Sequence, residues 1–327
     1  MGSRVLVLTH AEVERMLPMA DCIEQMATAL TQLARGEALV PLRTILRPQA
    51  APGLLALMPA YAGGAFGLKT VGVFPGNLTR GMDAHQGGVL LIDGDTGELK
   101  ALMNASAITA IRTAAVTALA TRTLSRADAH DLAIVGAGVQ AQTHLEALFC
   151  VRQLERVRVA SRDPEHARAF AREQSQRRGR AIEAAMSVES AVRGADLVVT
   201  VTSSAEPVLR REWVAAGAHL NLVGASLASA READSATLAA GRLFVDRRES
   251  AENESGDYLT PLREGLIGPD HIRGELGEVL VGARPGRSSE TEITIFKSLG
   301  LAVEDLAAAR FVYERARQSG AGTWAEF

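Results

Sequence analysis

The chain has 327 residues, 47% hydrophobic and 22% charged, which is enough for two domains with substantial cores. A formal net charge of −3 and only 4% aromatic residues argue against nucleic acid or an anionic membrane as partner. The two cysteines, Cys22 and Cys150, form neither a disulfide framework nor a metal-ligand spacing, and fit a reducing compartment.

The N-terminal stretch MGSRVLVLTHAEVERML has an apolar run of only four residues, shorter than a signal peptide requires. It also lacks the Ser or Thr at the sixth position that a myristoylation signal carries. No apolar stretch reaches membrane-spanning length without a charge, so the expected location is the cytoplasm. One helix is expected near residues 18–35. The segments PLRTILRP, GLLALMPAY, AFGLKTVGVFPGN and GGVLLIDGDTGELKALM then follow one another with Gly/Pro turns between, and IDGDTGE has the composition of a hairpin turn. Consecutive strands without intervening helices predict an antiparallel sheet. The Ala-rich SAITAIRTAAVTALATRTLS predicts a long helix leading into a second domain.

From residue 131 onward short apolar runs alternate with helical stretches. DLAIVG is followed by the helical VQAQTHLEALFCV, then by RVRVAS, PEHARAFAREQSQRRG, DLVVTVTS, HLNLVGAS and RLFVD. Strands alternating with helices predict parallel pairing through right-handed crossovers, hence an α/β fold with a Rossmann-type doubly wound sheet. The tail VEDLAAARFVYERARQ predicts an amphipathic helix with Val303, Leu306, Ala307 and Phe311 on one face.

Gly136, Gly138 and Ala141 form G-x-G-x-x-A at a strand-to-helix junction. The first glycine suits the tight turn, the second lets backbone approach a pyrophosphate, and the small third residue lets helix and strand pack. A tight turn that binds nothing is the competing reading. Val139 and Gln140 inside the fingerprint, and Thr202 and Ser203 at the end of DLVVTVTS, are assigned to the same cofactor site. About twenty residues beyond the fingerprint, where NAD enzymes usually place an acid for the ribose, stand Ser161 and Arg162, with Asp163 next. A guanidinium and a hydroxyl suit a 2′-phosphate, so NADP is expected; Asp163 leaves NAD possible.

Between Glu37 and Asp83 there is no acidic residue, while Arg43, Arg47, Lys69 and Arg80 are retained. Such an interval suggests a positive pocket for a carboxylate. Arg47 and Arg80 lie beside turns and read as solvated edges. Lys69 is the single charge in an apolar strand, where burial is costly without work or a partner. Arg112 interrupts an otherwise Ala/Ile/Thr helix, and its planar fork suits a carboxylate. No metal site is apparent.

Together GLKTVGVFPGN, HQGGVLLID, TGELKALMNASAITAIRTAA, IVGAGVQAQTH and TIFKSLG resemble the ornithine cyclodeaminase/mu-crystallin family over nearly the whole chain. The resemblance implies that Arg43, Lys69 and Arg112 hold the substrate carboxylate. It implies a Rossmann domain, residues 119–296, and an α+β substrate-binding and dimerisation domain, residues 1–118 with 297–327, hence a homodimer. Substrate size would fall to apolar residues such as Leu57 or Met58.

The sequence departs from the cyclodeaminases of that family at one place. They carry an aspartate just after the fifth Rossmann strand, in a Gly-x-Asp-x-Pro-Gly-like stretch, and here VGASLASARE puts Ser226 there, with Ala228 and Ser229 replacing Pro-Gly. Cyclodeamination needs an amine deprotonated, and a serine hydroxyl is a poor base at neutral pH. Ornithine would also bring a second ammonium into a region lacking acids. Mu-crystallin-like ketimine reductases resemble this chain in having Gly-Ala-Ser. The expected activity is therefore NAD(P)H-dependent reduction of an α-imino acid. Lys69, or a water held by Ser226, would supply the proton, and His85 in DAHQGG is a secondary candidate or a turn cap. Ornithine cyclodeamination, amino-acid dehydrogenation, and non-catalytic binding of a small carboxylate with NADP remain the alternatives.

Overall fold

Along residues 54–62 every second residue is apolar and buried while its neighbours face outward, the period of a strand with one covered face. The computed structural model describes residues 4–327. It divides into two units, one made of the described residues up to Ala115 with Gly300–Phe327, the other of Val116–Leu299. The first division falls inside the continuous helix Ala105–Leu124 rather than at 118/119, and the second at 299/300 rather than 296/297. An unbroken helical pattern gives no sequence mark where one core hands over to the other.

In the first unit the sheet runs in the order Thr323–Glu326, Arg4–Leu8, Leu99–Asn104, His85–Asp93, Ala65–Val73, Leu54–Ala62 and Ala38–Leu39, with Thr44–Leu46 also paired to Leu54–Ala62. The hairpin expected at IDGDTGE joins His85–Asp93 to Leu99–Asn104, and Asp93 Oδ1 accepts the Thr96 amide at 2.9 Å to shape its turn. The sheet is not wholly antiparallel as expected. Arg4–Leu8 lies parallel to Leu99–Asn104, with Leu6 opposite Ala101, and every residue between them forms the crossover. A pairing over that sequence distance leaves no local turn signal.

One face of this sheet is covered by helix Ala302–Ser319, which also packs on helix Met19–Ala34. The covering is close: a Cβ on Gly67 would run into the Leu306 side chain. The opposite face keeps Leu55, Phe66 and Leu102 exposed, and the rings of Tyr61 and Phe66 stand 4.8 Å apart on it. Leu57 is half-buried on this outer face, whereas Met58 is buried on the inner face opposite Lys69.

In the second unit the strands, counted in chain order from Asp131–Val135, lie in sheet order third, second, first, fourth, fifth, eighth, sixth, seventh, all parallel. The first five have the doubly wound arrangement that the βα alternation predicted. The eighth, Thr294–Lys297, inserts between His219–Leu222 and Arg242–Val245. No helix among the described residues is long and apolar enough to cross a membrane.

Two histidines are sealed inside this unit. His144 shares a hydrogen bond with the Thr117 hydroxyl at 3.0 Å, and His219 with the Thr294 hydroxyl at 2.9 Å and Asn221 Oδ1 at 3.2 Å. Burial pushes their pKa values down from 6.5, to about 4 for His144 and about 3 for His219. Above pH 6.5 both are neutral whether folded or unfolded; below it the unfolded chain takes up protons that the folded chain refuses. The stability they confer is thus present above 6.5 and lost as pH falls toward about 4 and about 3. Urea titrations from pH 7 to pH 5 are expected to show stability falling, by up to roughly 1.4 kcal/mol per pH unit for each histidine. His144→Gln with His219→Gln is expected to flatten that slope.

Candidate functional site

Lys69 lies on the covered face of strand Ala65–Val73 and is 3% exposed. Its Nζ stands 2.8 Å from Asp305 Oδ2, so the lysine does have the partner that its burial demands. Arg112, on helix Ala105–Leu124, donates from Nε to the other oxygen of Asp305 at 2.9 Å and from Nη1 to Glu304 Oε2 at 2.8 Å. Arg43 Nη2 donates to the Gly300 carbonyl at 3.1 Å. Gly300 sits under Arg112 so closely that a Cβ there would strike its guanidinium, and its φ of +79° is one that glycine adopts without strain. The three basic residues expected to act together therefore do converge, around Asp305 and Gly300.

The acids that gather them were not among the residues singled out from the sequence. The interval 38–82 is free of acids along the chain, but the first turn of helix Ala302–Ser319 brings Glu304 and Asp305 into it, both at most 1% exposed. A second ammonium, such as that of ornithine, would therefore meet carboxylates in this region, contrary to the expectation from the sequence. The available signal was an acidic pair flanked by Val303 and Leu306 in a helix with an apolar face.

Lys69 and Arg112 share the carboxylates of Asp305 and Glu304, and Arg43 joins them at Gly300. Burial, then the Arg112 charge, lowers the Lys69 pKa to about 8, against the pull of Asp305. Burial raises the Asp305 carboxyl, but Arg112 and Lys69 outweigh it and hold it below the usual range. His85 is the exposed first residue of strand His85–Asp93, paired with Val73, and not a turn cap. Although the residue keeps exposed surface, the protein packed around its ring partly desolvates it, and this, then the Lys69 charge, pushes its pKa down. Arg47 and Arg80 are exposed, as expected of solvated edges.

In the second unit Gly136 has φ +119°, and a Cβ there would meet the Val201 carbonyl. Gly138 caps helix Val139–Val151 in an extended conformation, with no atom within 4 Å of the place a Cβ would take. Ala141 is fully buried against the sheet, Val139 is exposed, and Gln140 keeps a buried side-chain oxygen without a partner. An open glycine followed by first-turn amides that have no partner within the helix suits the diphosphate of a dinucleotide. At the end of strand Arg156–Ala160, Ser161 is half-buried and Arg162 exposed. Asp163 Oδ1 accepts the Glu165 amide at 2.9 Å, capping helix Pro164–Arg178. Thr202 is engaged internally, its hydroxyl donating to Glu232 Oε1 at 2.7 Å, whereas Ser203 is exposed. Ser226 is half-buried in the turn after strand His219–Leu222. No group of His, Cys, Asp and Glu able to hold a metal ion occurs among the described residues.

The sequence profile of the ornithine cyclodeaminase/mu-crystallin family matches residues 4–320. The chain belongs to the ornithine cyclodeaminase/mu-crystallin family. It is similar to the ketimine reductase mu-crystallin of Mus musculus, 42% identical over 89% of this chain and 91% of that one. A solved structure of the Thermococcus litoralis Δ1-pyrroline-2-carboxylate reductase in complex with NADH and L-proline is 39% identical, with a TM-score of 0.95, covering 98% of this chain and 99% of that one. An archaeal alanine dehydrogenase dimer with bound NAD is 33% identical, with a TM-score of 0.94, covering 99% and 100%.

The reach of the family over almost the whole chain includes the helix that supplies Glu304 and Asp305. Removing one partner from a buried ion cluster leaves the others uncompensated, at a cost of about 3–5 kcal/mol. Asp305→Asn is expected to lower stability in urea by about that amount. An unchanged unfolding midpoint would show that water reaches Lys69 and Arg112 in the folded protein.

Proposed function

We propose that this family member is an NAD(P)H-dependent reductase of α-imino acids, acting on a C=N bond beside a carboxylate. The observation that carries the reading is the convergence of buried Lys69 with Arg112 and Arg43 around Asp305 and Gly300, where burial lowers the Lys69 pKa to about 8. An acid with that pKa is mostly protonated at neutral pH and still able to give its proton up. Ser226 supports the same direction of chemistry, since reduction needs a proton donor and not the carboxylate base that the cyclodeaminases of the family carry.

In this reading Arg43 and Arg112 take the substrate carboxylate with charge-assisted hydrogen bonds. Glu304 and Asp305 hold Arg112 in place so that its orientation is set before substrate arrives. Gly136, Gly138, Val139, Gln140 and Ala141 hold the dinucleotide diphosphate, and Thr202 and Ser203 border it. The dinucleotide, when bound, supplies the hydride that the imine carbon receives. Lys69 gives its proton to the imine nitrogen, and Ser226 holds a water that serves the same transfer. Arg162 with Ser161 favours NADP, because the Asp163 carboxylate is already committed to capping a helix.

The protein works in the cytoplasm as a homodimer, and the apolar outer face of the first unit's sheet, with Leu55, Phe66 and Leu102 exposed, is the surface a second copy covers. Similarity to the alanine dehydrogenase favours one second reading, amino-acid dehydrogenation, which needs ammonia when run reductively.

NADPH absorbance is expected to fall with Δ1-pyrroline-2-carboxylate or Δ1-piperideine-2-carboxylate, with no proline formed from L-ornithine and NAD⁺. Turnover only with an α-keto acid plus ammonia would favour the dehydrogenase, and proline from ornithine would overturn the role given to Ser226. Because the donor must be protonated, kcat/KM is expected to hold below pH 8 and decline as pH rises through about 8. Lys69→Met is expected to lower it by roughly 100-fold or more and remove that limb. Arg162→Ala is expected to raise the KM for NADPH by roughly tenfold or more, the loss of one charge-assisted bond, and leave NADH within twofold. Equal effects on both nucleotides would place Arg162 away from the 2′-phosphate.

A further inference from the structure

Beneath Ser226 lies a second buried cluster of charge, separate from the one around Asp305. Glu232 is fully buried, and its carboxylate accepts five hydrogen bonds. Oε1 takes the Thr202 amide and hydroxyl, each at 2.7 Å, and Oε2 takes the Thr200 hydroxyl at 2.8 Å and the amides of Gly224 and Ala225 at 2.6 and 3.3 Å. The backbone of Glu232 is itself held, for its own amide and that of Ala233 donate to Asp257 Oδ1 at 2.9 and 3.0 Å. Asp257 Oδ2 lies 3.0 Å from Lys297 Nζ, and Lys297 donates to the Ala225 carbonyl at 2.6 Å.

These contacts close a ring. From Ala225 it passes through Glu232, Asp257 and Lys297 and returns to Ala225, so that residue is gripped by both its amide and its carbonyl. Gly224 admits the close approach because a Cβ there would collide with the Thr202 carbonyl and the Glu232 carboxylate. Past Ala225 the turn is held next at Leu227, whose carbonyl accepts the Gly256 amide at 3.3 Å. Ser226 stands between the two points of attachment. The turn follows the fifth strand and Thr202 follows the fourth, at the carboxyl edge where doubly wound sheets bind ligands.

Burying two carboxylates and an ammonium is a costly way to fill space, which apolar side chains do as well or better. The outlay fits a demand for one fixed backbone geometry. We propose that Glu232, seated by the Asp257–Lys297 ion pair, is a positioning residue that clamps the Gly224–Ala225 turn and thereby sets where the Ser226 hydroxyl stands during imine reduction. This rests on the reductase reading and on the part given there to Ser226.

The test compares wild type, Glu232→Gln, Ser226→Ala and the double variant, with NADPH and Δ1-pyrroline-2-carboxylate, alongside deuterium exchange of the peptide spanning residues 223–229. Glu232→Gln is expected to lower kcat at least tenfold and to speed exchange in that peptide at least tenfold. In the Ser226→Ala background the same substitution is expected to lower kcat less than twofold, since its effect passes through the serine. Equal fold-losses in both backgrounds, or wild-type exchange and turnover in Glu232→Gln, would overturn the proposal. If Glu232→Gln does not fold, Lys297→Met with Asp257→Asn takes out the ion pair that seats Glu232 while keeping the net charge, and the same readouts apply. Failure of the reductase reading is distinguishable: the wild type would then oxidise NADPH with no imino acid. Faster exchange in Glu232→Gln would still uphold the clamp, and unchanged exchange would sink it whatever the reaction.

Discussion

Asp305 holds two cations at once, Lys69 on one oxygen and Arg112 on the other, in surroundings from which water is excluded. An unpaired charge in such a place is prohibitively unfavourable, so the fold of the first unit must bring strand, helix and tail helix to the same point. Small residues make the meeting possible. Gly67 lets the tail helix settle on the sheet, and Gly300 lets the Arg112 guanidinium lie over the backbone just before that helix. Lys69 is thereby both buried and only weakly held as a cation, which is the condition of a proton donor near neutral pH.

The second unit uses a buried carboxylate differently. Asp305 is matched by guanidinium and ammonium groups, which hold its pKa down. Glu232 is surrounded mainly by hydroxyls and backbone amides, and its pKa is raised by burial despite the Lys297 charge. One acid orients cationic side chains, and the other orients a stretch of backbone.

On the reductase reading proposed above, the direction of chemistry turns on what stands at Ser226. A carboxylate there strips protons from an amine, the requirement of deamination. A hydroxyl is too weak a base for that step, which is why the reading favours adding a proton to an imine nitrogen. The cluster around Asp305 suits either direction, because a substrate carboxylate is common to both.

The sequence by itself determined what local pattern encodes. The βα alternation from residue 131, the glycine fingerprint at Gly136 and Gly138, the hairpin at Asp93 and the amphipathic tail were all legible, since each follows from the period of apolar residues or from turn chemistry. So was the peculiarity of Lys69 and Arg112, charges inside apolar runs. Tertiary structure alone decided their partners. Glu304 lies 192 residues from Arg112 along the chain, and Glu232, Asp257 and Lys297 come from three separate segments. No periodicity links such groups, and neither does any link the parallel pairing of Arg4–Leu8 with Leu99–Asn104. A buried charge announces in sequence that it needs a counter-charge; which one it receives depends on where the chain returns.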